Sequence, residues 1–195
     1  TYVPLQKISP YVIVATLATE DEEFYSHPGF NLFAMFRALF QNVEEGETVS
    51  GASTITQQLA RMLMMDPEER NQVTFRRKAR EIILAVEITR RYSKDEILEL
   101  YLNEINYGNL SYGIEAAAES YFNTTADKLT FAQASFLAGL PQAPAVYDIF
   151  TNREATLNRH KQVLTLTYQM SREDGCIAVS NNRDPICISA EEAMV

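Results

Sequence analysis

Residues 20 to 27, EDEEFYSH, place four carboxylates (Glu20, Asp21, Glu22 and Glu23) directly after an apolar run and add His27, one of two histidines in the chain. Two carboxylates about 4 Å apart repel by roughly 4 kcal/mol at an effective dielectric near 20, and burial against apolar neighbours adds a desolvation cost of the same sign. One member of such a group is readily tuned for proton transfer. A solvated helix end accounts for the same residues without chemistry.

Two further segments carry donors for an anion. In SGASTITQQLAR, residues 50 to 61, the small residues Ser50, Gly51, Ala52 and Ser53 allow close backbone approach. Ser53 and Thr54 fall at the first turn of a helix, where free N–H groups favour an anion, and Gln57, Gln58 and Arg61 follow at one-turn offsets. A capped helix with a polar face is the alternative. In RRKAREIILAVE, Arg77 and Lys78 precede Glu81 by four and three residues, so Glu81 shares a helix face with both cations. As an ordinary surface ion pair this would contribute a few tenths of a kcal/mol, that is, about 0.2–1.

The elements that must position these residues read as helices. Ser9 followed by Pro10 is an N-cap signal opening PYVIVATLATEDEEF, although Val12, Ile13 and Val14 weaken helix propensity. Asn31 can cap LFAMFRALFQNV, a segment with Phe33, Met35, Phe36, Leu39, Phe40 and Val43 and almost no polar face, hence buried or in contact with lipid. A helix through MLMM ends before Pro67, and Thr74 opens a long one, FRRKAREIILAVEITRRY, through Tyr92. Capping boxes are expected at Ser93 with Glu96, Thr130 with Gln133, and Thr151 with Glu154. NYGNLSYG is a turn-rich loop, and CIAVS and ICIS are the only short strand candidates. The class is mainly α.

Composition narrows the possibilities. With 195 residues, 46% of them hydrophobic and 22% charged, the chain suits one core of ordinary size. A net charge of −9 argues against wholesale nucleic-acid binding, which needs a basic face. The basic residues are uneven, however. Arg70, Arg76, Arg77, Lys78, Arg80, Arg90, Arg91 and Lys94 stand against only Glu81 and Glu87, which makes this stretch a local anion site or a solvated helix face. No run approaches the roughly 18 apolar residues of a membrane span, and no signal-peptide pattern opens the chain, which suggests a domain cut from something longer. Cys176 and Cys187 are either paired or free and buried. No spacing suggests a metal held by protein ligands alone. The tail after Met170 looks like a small appendage, giving expected divisions of 1–171 and 172–195, the second an appendage or a linker toward a missing domain.

Taken together and in order, these segments resemble the peptidoglycan glycosyltransferase domain, glycosyltransferase family 51, of class A penicillin-binding proteins and monofunctional transglycosylases. The resemblance runs from about Ala15 to Met170. The family's EDxxFxxHxG stands as Glu20, Asp21, Phe24, His27 and Gly29, and its GxSTITQQ as Gly51, Ser53, Thr54, Ile55, Thr56, Gln57 and Gln58. RKxxE falls on Arg77, Lys78 and Glu81. A fourth motif spreads over Tyr101, Leu102, Asn103, Gly108, Tyr112, Gly113, Ala116 and Ala117, and LAGLPQAP from Leu137 to Pro144 is the fifth. Arg61 and Met62 depart from the family's Lys-Asn pair, Ile88 and Thr89 from its Leu-Glu, and Arg70 is the candidate for an arginine the family places before RK.

The resemblance implies a lysozyme-like, two-lobed helical fold with a small membrane-proximal lobe. It implies polymerisation of lipid II into β-1,4-linked glycan by inverting transfer, with release of polyprenyl diphosphate. Glu20 would be the base and Glu81 a second catalytic carboxylate that positions the diphosphate clamp or holds a divalent cation. Asp21, His27, Ser53, Thr54, Gln57, Gln58, Arg61, Arg70, Arg77, Lys78, Asn103 and Tyr112 would bind substrate. Mg²⁺ or Mn²⁺ would be held mainly by the substrate diphosphate, with no nucleotide. The partners implied are lipid II with the growing chain, the outer-leaflet surface and other cell wall synthesis proteins, at the extracytoplasmic face of a bacterial membrane with an anchor outside this chain. A lysozyme-type hydrolase with Glu20 as acid needs a matching carboxylate, and two cations beside Glu81 argue against it. A module that binds lipid-linked glycan without turnover is the non-enzymatic alternative. No Ser-x-x-Lys or Lys-Thr-Gly of a transpeptidase occurs.

Overall fold

The structure, a computed structural model, describes residues 1–32, 53–70 and 72–194. The apolar helix expected after Asn31 and the loop residues Ser50, Gly51 and Ala52 lie outside them. Among the described residues the secondary structure is helical, with the two strand candidates forming a single bridge between Ile177 and Ile186. The chain divides into two compact units: residues 1–22 with 102–195, and residues 23–101.

In the first unit, α1 (Pro10–Glu20), α7 (Phe131–Gly139) and α8 (Arg153–Glu173) pack on one another. Helix α1 buries Val12, Ile13, Val14, Ala15 and Leu17 almost completely. Each large side chain gains about 1.5–3 kcal/mol from burial, which outweighs the few tenths lost to β-branching in a helix. Ala15 meets Ala138 and Val163 at the centre of the three helices. Pro10 stands at the helix start as expected, but Ser9 does not cap it: its hydroxyl donates to Leu129 O at 2.8 Å and ties the helix start to the segment before α7.

The segment after α8 packs into this same unit. Ile188 joins Phe131 and Leu164 in the core, Asn181 Nδ2 donates to the carbonyls of Leu5 and Ile8, and Cys176 and Cys187 are joined in a disulfide. The capping box at Thr130 and Gln133 forms. The one expected at Thr151 and Glu154 does not: Thr151 donates to Asp148 Oδ2 instead, and Asn152 precedes the first turn of α8. Aspartate competes for the hydroxyl within a tight turn.

In the second unit, α2 (Ile55–Met64) packs on α4 (Phe75–Arg91), with the short α3 (Pro67–Arg70) between them in sequence. Helix α5 (Lys94–Glu104) begins at the predicted Ser93–Glu96 box. Gly29 shows why its position takes glycine. Its φ is +102°, and a Cβ there would lie 2.7 Å from Ala85 O and 2.8 Å from the Thr89 hydroxyl. The loop carrying His27 therefore touches the backbone of α4 directly.

Candidate active site

The expected site residues fall into both units. In the first, Glu20 is the last residue of α1, and the helix stops there because Asp21 turns out of it, its N–H still bonded to Leu17 O. The predicted helix through Phe24 is thus shorter than the apolar pattern suggests, and the repelling carboxylates Glu22 and Glu23 lie in the following turns. The Glu20 side chain is 10% exposed, and Asp21 is buried.

Two residues that sequence patterns did not mark stand beside Glu20. Arg159 of α8, itself 9% exposed at the side chain, brings Nη2 to 3.9 Å from Glu20 Oε1. Tyr107, in the loop after α5, is completely buried, and its hydroxyl is pushed well above the ordinary tyrosine value, first by desolvation and then by the charge of Glu20. Tyr107 is therefore a neutral neighbour at any working pH. Neither had a signal in local spacing, since both meet Glu20 only through the tertiary fold.

Asn103 and Tyr112 take different places in this unit. The Asn103 amide is engaged at both ends by Val3, accepting from its N–H at 2.8 Å and donating to its carbonyl at 2.9 Å. That arrangement ties the N-terminal segment to α5. Tyr112 is 64% exposed, at the end of a tight loop bridged to Asn106. Gly113 follows at φ +82°, where a Cβ would strike Asn103 O.

The second unit assembles the cationic residues. Thr54 caps α2 and forms a box with Gln57, each side chain bonded to the other's backbone N–H, and the Thr54 hydroxyl also donates to Gly29 O at 2.7 Å. Lys78 Nζ donates to Ser53 Oγ at 2.8 Å, Gln57 Oε1 at 2.9 Å and Glu81 Oε1 at 2.8 Å. Arg77 donates to the other Glu81 oxygen at 2.5 Å, and Glu81 is wholly buried. The expected second and third motifs thus meet in one cluster. Thr74, capping α4 through the Arg77 N–H, sets the helix start that aims Arg77 and Lys78 there.

Burial pulls the Lys78 ammonium below its ordinary value. Glu81 pulls it back up, while the nearby charges of Arg61 and Arg77 lower it further. Cations in the first turn of a helix oppose the macrodipole, and α4 has no acidic residue there to relieve it. The local field is accordingly positive and suited to an anion. Among the described residues, Gln57 Nε2 is buried without a hydrogen-bond partner, which leaves donor capacity beside the cluster.

The remaining candidates are less central. Gln58 accepts from the buried Tyr101 hydroxyl at 3.1 Å and donates weakly to Ser53 O. Arg70 is exposed and bonds Met65 O, and His27 Nδ1 accepts from the Gly29 N–H. Of the other basic residues, Arg80 pairs with Glu69, and Arg90 and Arg91 with Glu87. The basic stretch therefore gathers on the buried Glu81 at Arg77 and Lys78, while Arg80, Arg90 and Arg91 lie in exposed ion pairs.

A family model described as "Transglycosylase" matches residues 1–168. Penicillin-binding protein 1A of Aquifex aeolicus is 44% identical over 84% of this chain and 22% of its own length, and penicillin-binding protein 1A of Escherichia coli is 42% identical over 84% and 19%. Penicillin-binding protein 2D of Bacillus subtilis is 41% identical over 85% and 23%. The chain thus spans about a fifth of the length of the relatives it matches. With a mainly helical structure of the lysozyme-like type and the cationic cluster around Lys78, the chain belongs to the transglycosylase family, the peptidoglycan glycosyltransferases of cell wall synthesis.

Proposed function

We propose that the chain polymerises lipid II, with the growing glycan chain held on polyprenyl diphosphate. The 4-hydroxyl of the acceptor GlcNAc attacks the anomeric carbon of the donor. Glu20 takes the hydroxyl proton, the new C–O bond forms with inversion, and the bond to the diphosphate breaks with its electron pair leaving on the phosphate oxygen. A positioned base of this kind contributes roughly 10²–10⁴-fold. The leaving diphosphate needs charge neutralisation more than a proton, and Lys78 and Arg77 supply it.

The single observation that carries this reading is the cluster of Ser53, Gln57, Lys78, Arg77 and the buried Glu81. A surface ion pair would not be built around a wholly buried carboxylate. Both Glu81 oxygens are occupied by cations, so Glu81 suits a role in positioning the clamp and does not fit a protein-held metal. Mg²⁺ or Mn²⁺, if used, would be bound by the diphosphate itself, and no nucleotide is needed.

Exposed Val73, Phe75 and Ile83, with Leu63 and Met64, support a membrane surface as the place of work, since lipid II must be met there. No helix among the described residues is long and apolar enough to cross a membrane. The disulfide is in keeping with the oxidising, outer side of a bacterial cytoplasmic membrane, where partners would include other cell wall synthesis proteins.

Incubation of labelled lipid II in detergent with the domain and with its Glu20→Gln variant, followed by gel separation, tests the reading. Glycan chains that vanish in the variant are expected. Retained lipid II binding with no chains from the unaltered domain would replace the polymerase with a binding module.

A further inference from the structure

Glu20 and Arg159 form a charged pair whose side chains are each about nine-tenths buried. A buried charge persists only where partners compensate it, so the placement of Arg159 calls for an account. Its other nitrogens are used by the fold: Nε donates to Gly139 O at 3.3 Å and Nη1 to Gln162 Oε1 at 3.4 Å. Its guanidinium carbon lies 5.8 Å from the centre of the Tyr147 ring.

Gly139, at the end of α7, makes room for this arginine. A Cβ there would lie 3.1 Å from Arg159 Cγ and 3.3 Å from Val163 Cγ2. Nothing in the backbone conformation of Gly139 demands glycine, so the arginine stem crossing over it is the physical reason for the residue. At 3.9 Å, Nη2 acts on Glu20 through charge and not through a short hydrogen bond. That spacing matters for a base, because a carboxylate that accepts a strong hydrogen bond from arginine gives up part of its basicity.

We propose that Arg159 is a positioning residue for Glu20, held by Gly139, Gln162 and Tyr147 so that the carboxylate stays charged and aimed while its oxygen remains able to take a proton. This inference rests on the assignment of Glu20 as the base. Among the described residues, the titratable and charged groups around Glu20 include Arg159 from α8, the Tyr107 hydroxyl from the loop after α5, and Asp21 next in the chain. Arg159 is the cation among them.

The test compares Arg159→Met, Arg159→Lys and Gly139→Ala with the unaltered domain. On labelled lipid II, Arg159→Met lowers kcat on the order of tenfold or more with KM nearly unchanged, Arg159→Lys recovers part of the loss, and Gly139→Ala falls between. A second readout does not need turnover: with ¹³C-labelled glutamate carboxyls and the Glu20 resonance assigned by Glu20→Gln, Glu20 titrates at higher pH in Arg159→Met than in the unaltered domain. An unchanged kcat, a raised KM with kcat unchanged, or an unmoved Glu20 titration in a folded variant overturns the proposal. If Arg159→Met does not fold, Arg159→Lys and Gly139→Ala decide, and behaviour identical to the unaltered domain in both overturns it. Should the unaltered domain make no glycan at all, the lipid II reading fails, and the titration still decides the role of Arg159.

Discussion

Helix α4 carries one ionic arrangement twice, in mirror order. Near its start, Arg77 and Lys78 precede Glu81 by four and three residues; near its end, Glu87 precedes Arg90 and Arg91 by three and four. At the first group the glutamate is 0% exposed and the cations are 13% and 27% exposed, whereas at the second the corresponding values are 39%, 68% and 63%. The second group also has the orientation that suits a helix dipole, with the acid on the N-terminal side. Its arginines hold the Glu87 carboxyl well below its ordinary value, at about 2, through hydrogen bonds first from Arg90 and then from Arg91. The first group runs against the dipole and is buried. The arrangement that is unfavourable for the isolated helix is the one enclosed by Ser53 and Gln57, and it is the one we propose meets the diphosphate, while the other is a solvated face.

The sharpest way to break this comparison is to neutralise each acid. Glu81→Gln leaves two largely buried cations without their countercharge; we expect a loss of about 3 kcal/mol in urea unfolding and at least a hundredfold loss of glycan transfer. Glu87→Gln should lower stability only slightly at low salt and leave the transfer rate unchanged within error. Equal effects from the two substitutions would remove the distinction.

A smaller effect comes from the contact that seats α4 between the two groups. Gly29→Ala forces a side chain into a left-handed backbone conformation and onto Ala85 O, and should cost about 2 kcal/mol by the same unfolding measurement. The pH dependence sharpens the comparison further. Because the Lys78 value is lowered in the folded protein, mainly by burial, Lys78 loses its charge at a lower pH than an exposed lysine as the solution is made alkaline. The transfer rate should therefore fall on the alkaline side before the ordinary lysine range. Lys78→Arg, slower because its fork cannot reproduce the ammonium's three contacts, should lack that fall. Smallest of all, added salt should screen the Glu87 group and leave the Glu81 group intact, so unfolding of the unaltered domain and of Glu87→Gln should converge at high ionic strength.

Local rules made much of this molecule legible in its sequence. The caps at Thr54, Thr74, Ser93 and Thr130 depend on residues three positions away, and each helix begins where those residues put it. Where two local partners competed, as Asp148 did with Glu154 for Thr151, pattern alone chose wrongly. Spacing placed Glu81 on one face with its cations but could not distinguish a buried face from a wet one, because burial is set by α2 packing across it. Arg159 and Tyr107 reach Glu20 from distant parts of the chain, and no periodicity connects them. Spacing alone leaves the pairing of Cys176 with Cys187 open for the same reason, since the two thiols are brought together by the packing of the segment after α8.

The central claim, that the buried group on α4 grips the leaving diphosphate, is tested most directly by the binding of polyprenyl diphosphate alone, without sugar, to the domain by titration calorimetry in detergent. The account predicts that Lys78→Met weakens binding at least tenfold, while Glu87→Gln and Glu20→Gln bind as the unaltered domain does. Unchanged binding by Lys78→Met, or an equal loss in Glu87→Gln, would contradict it.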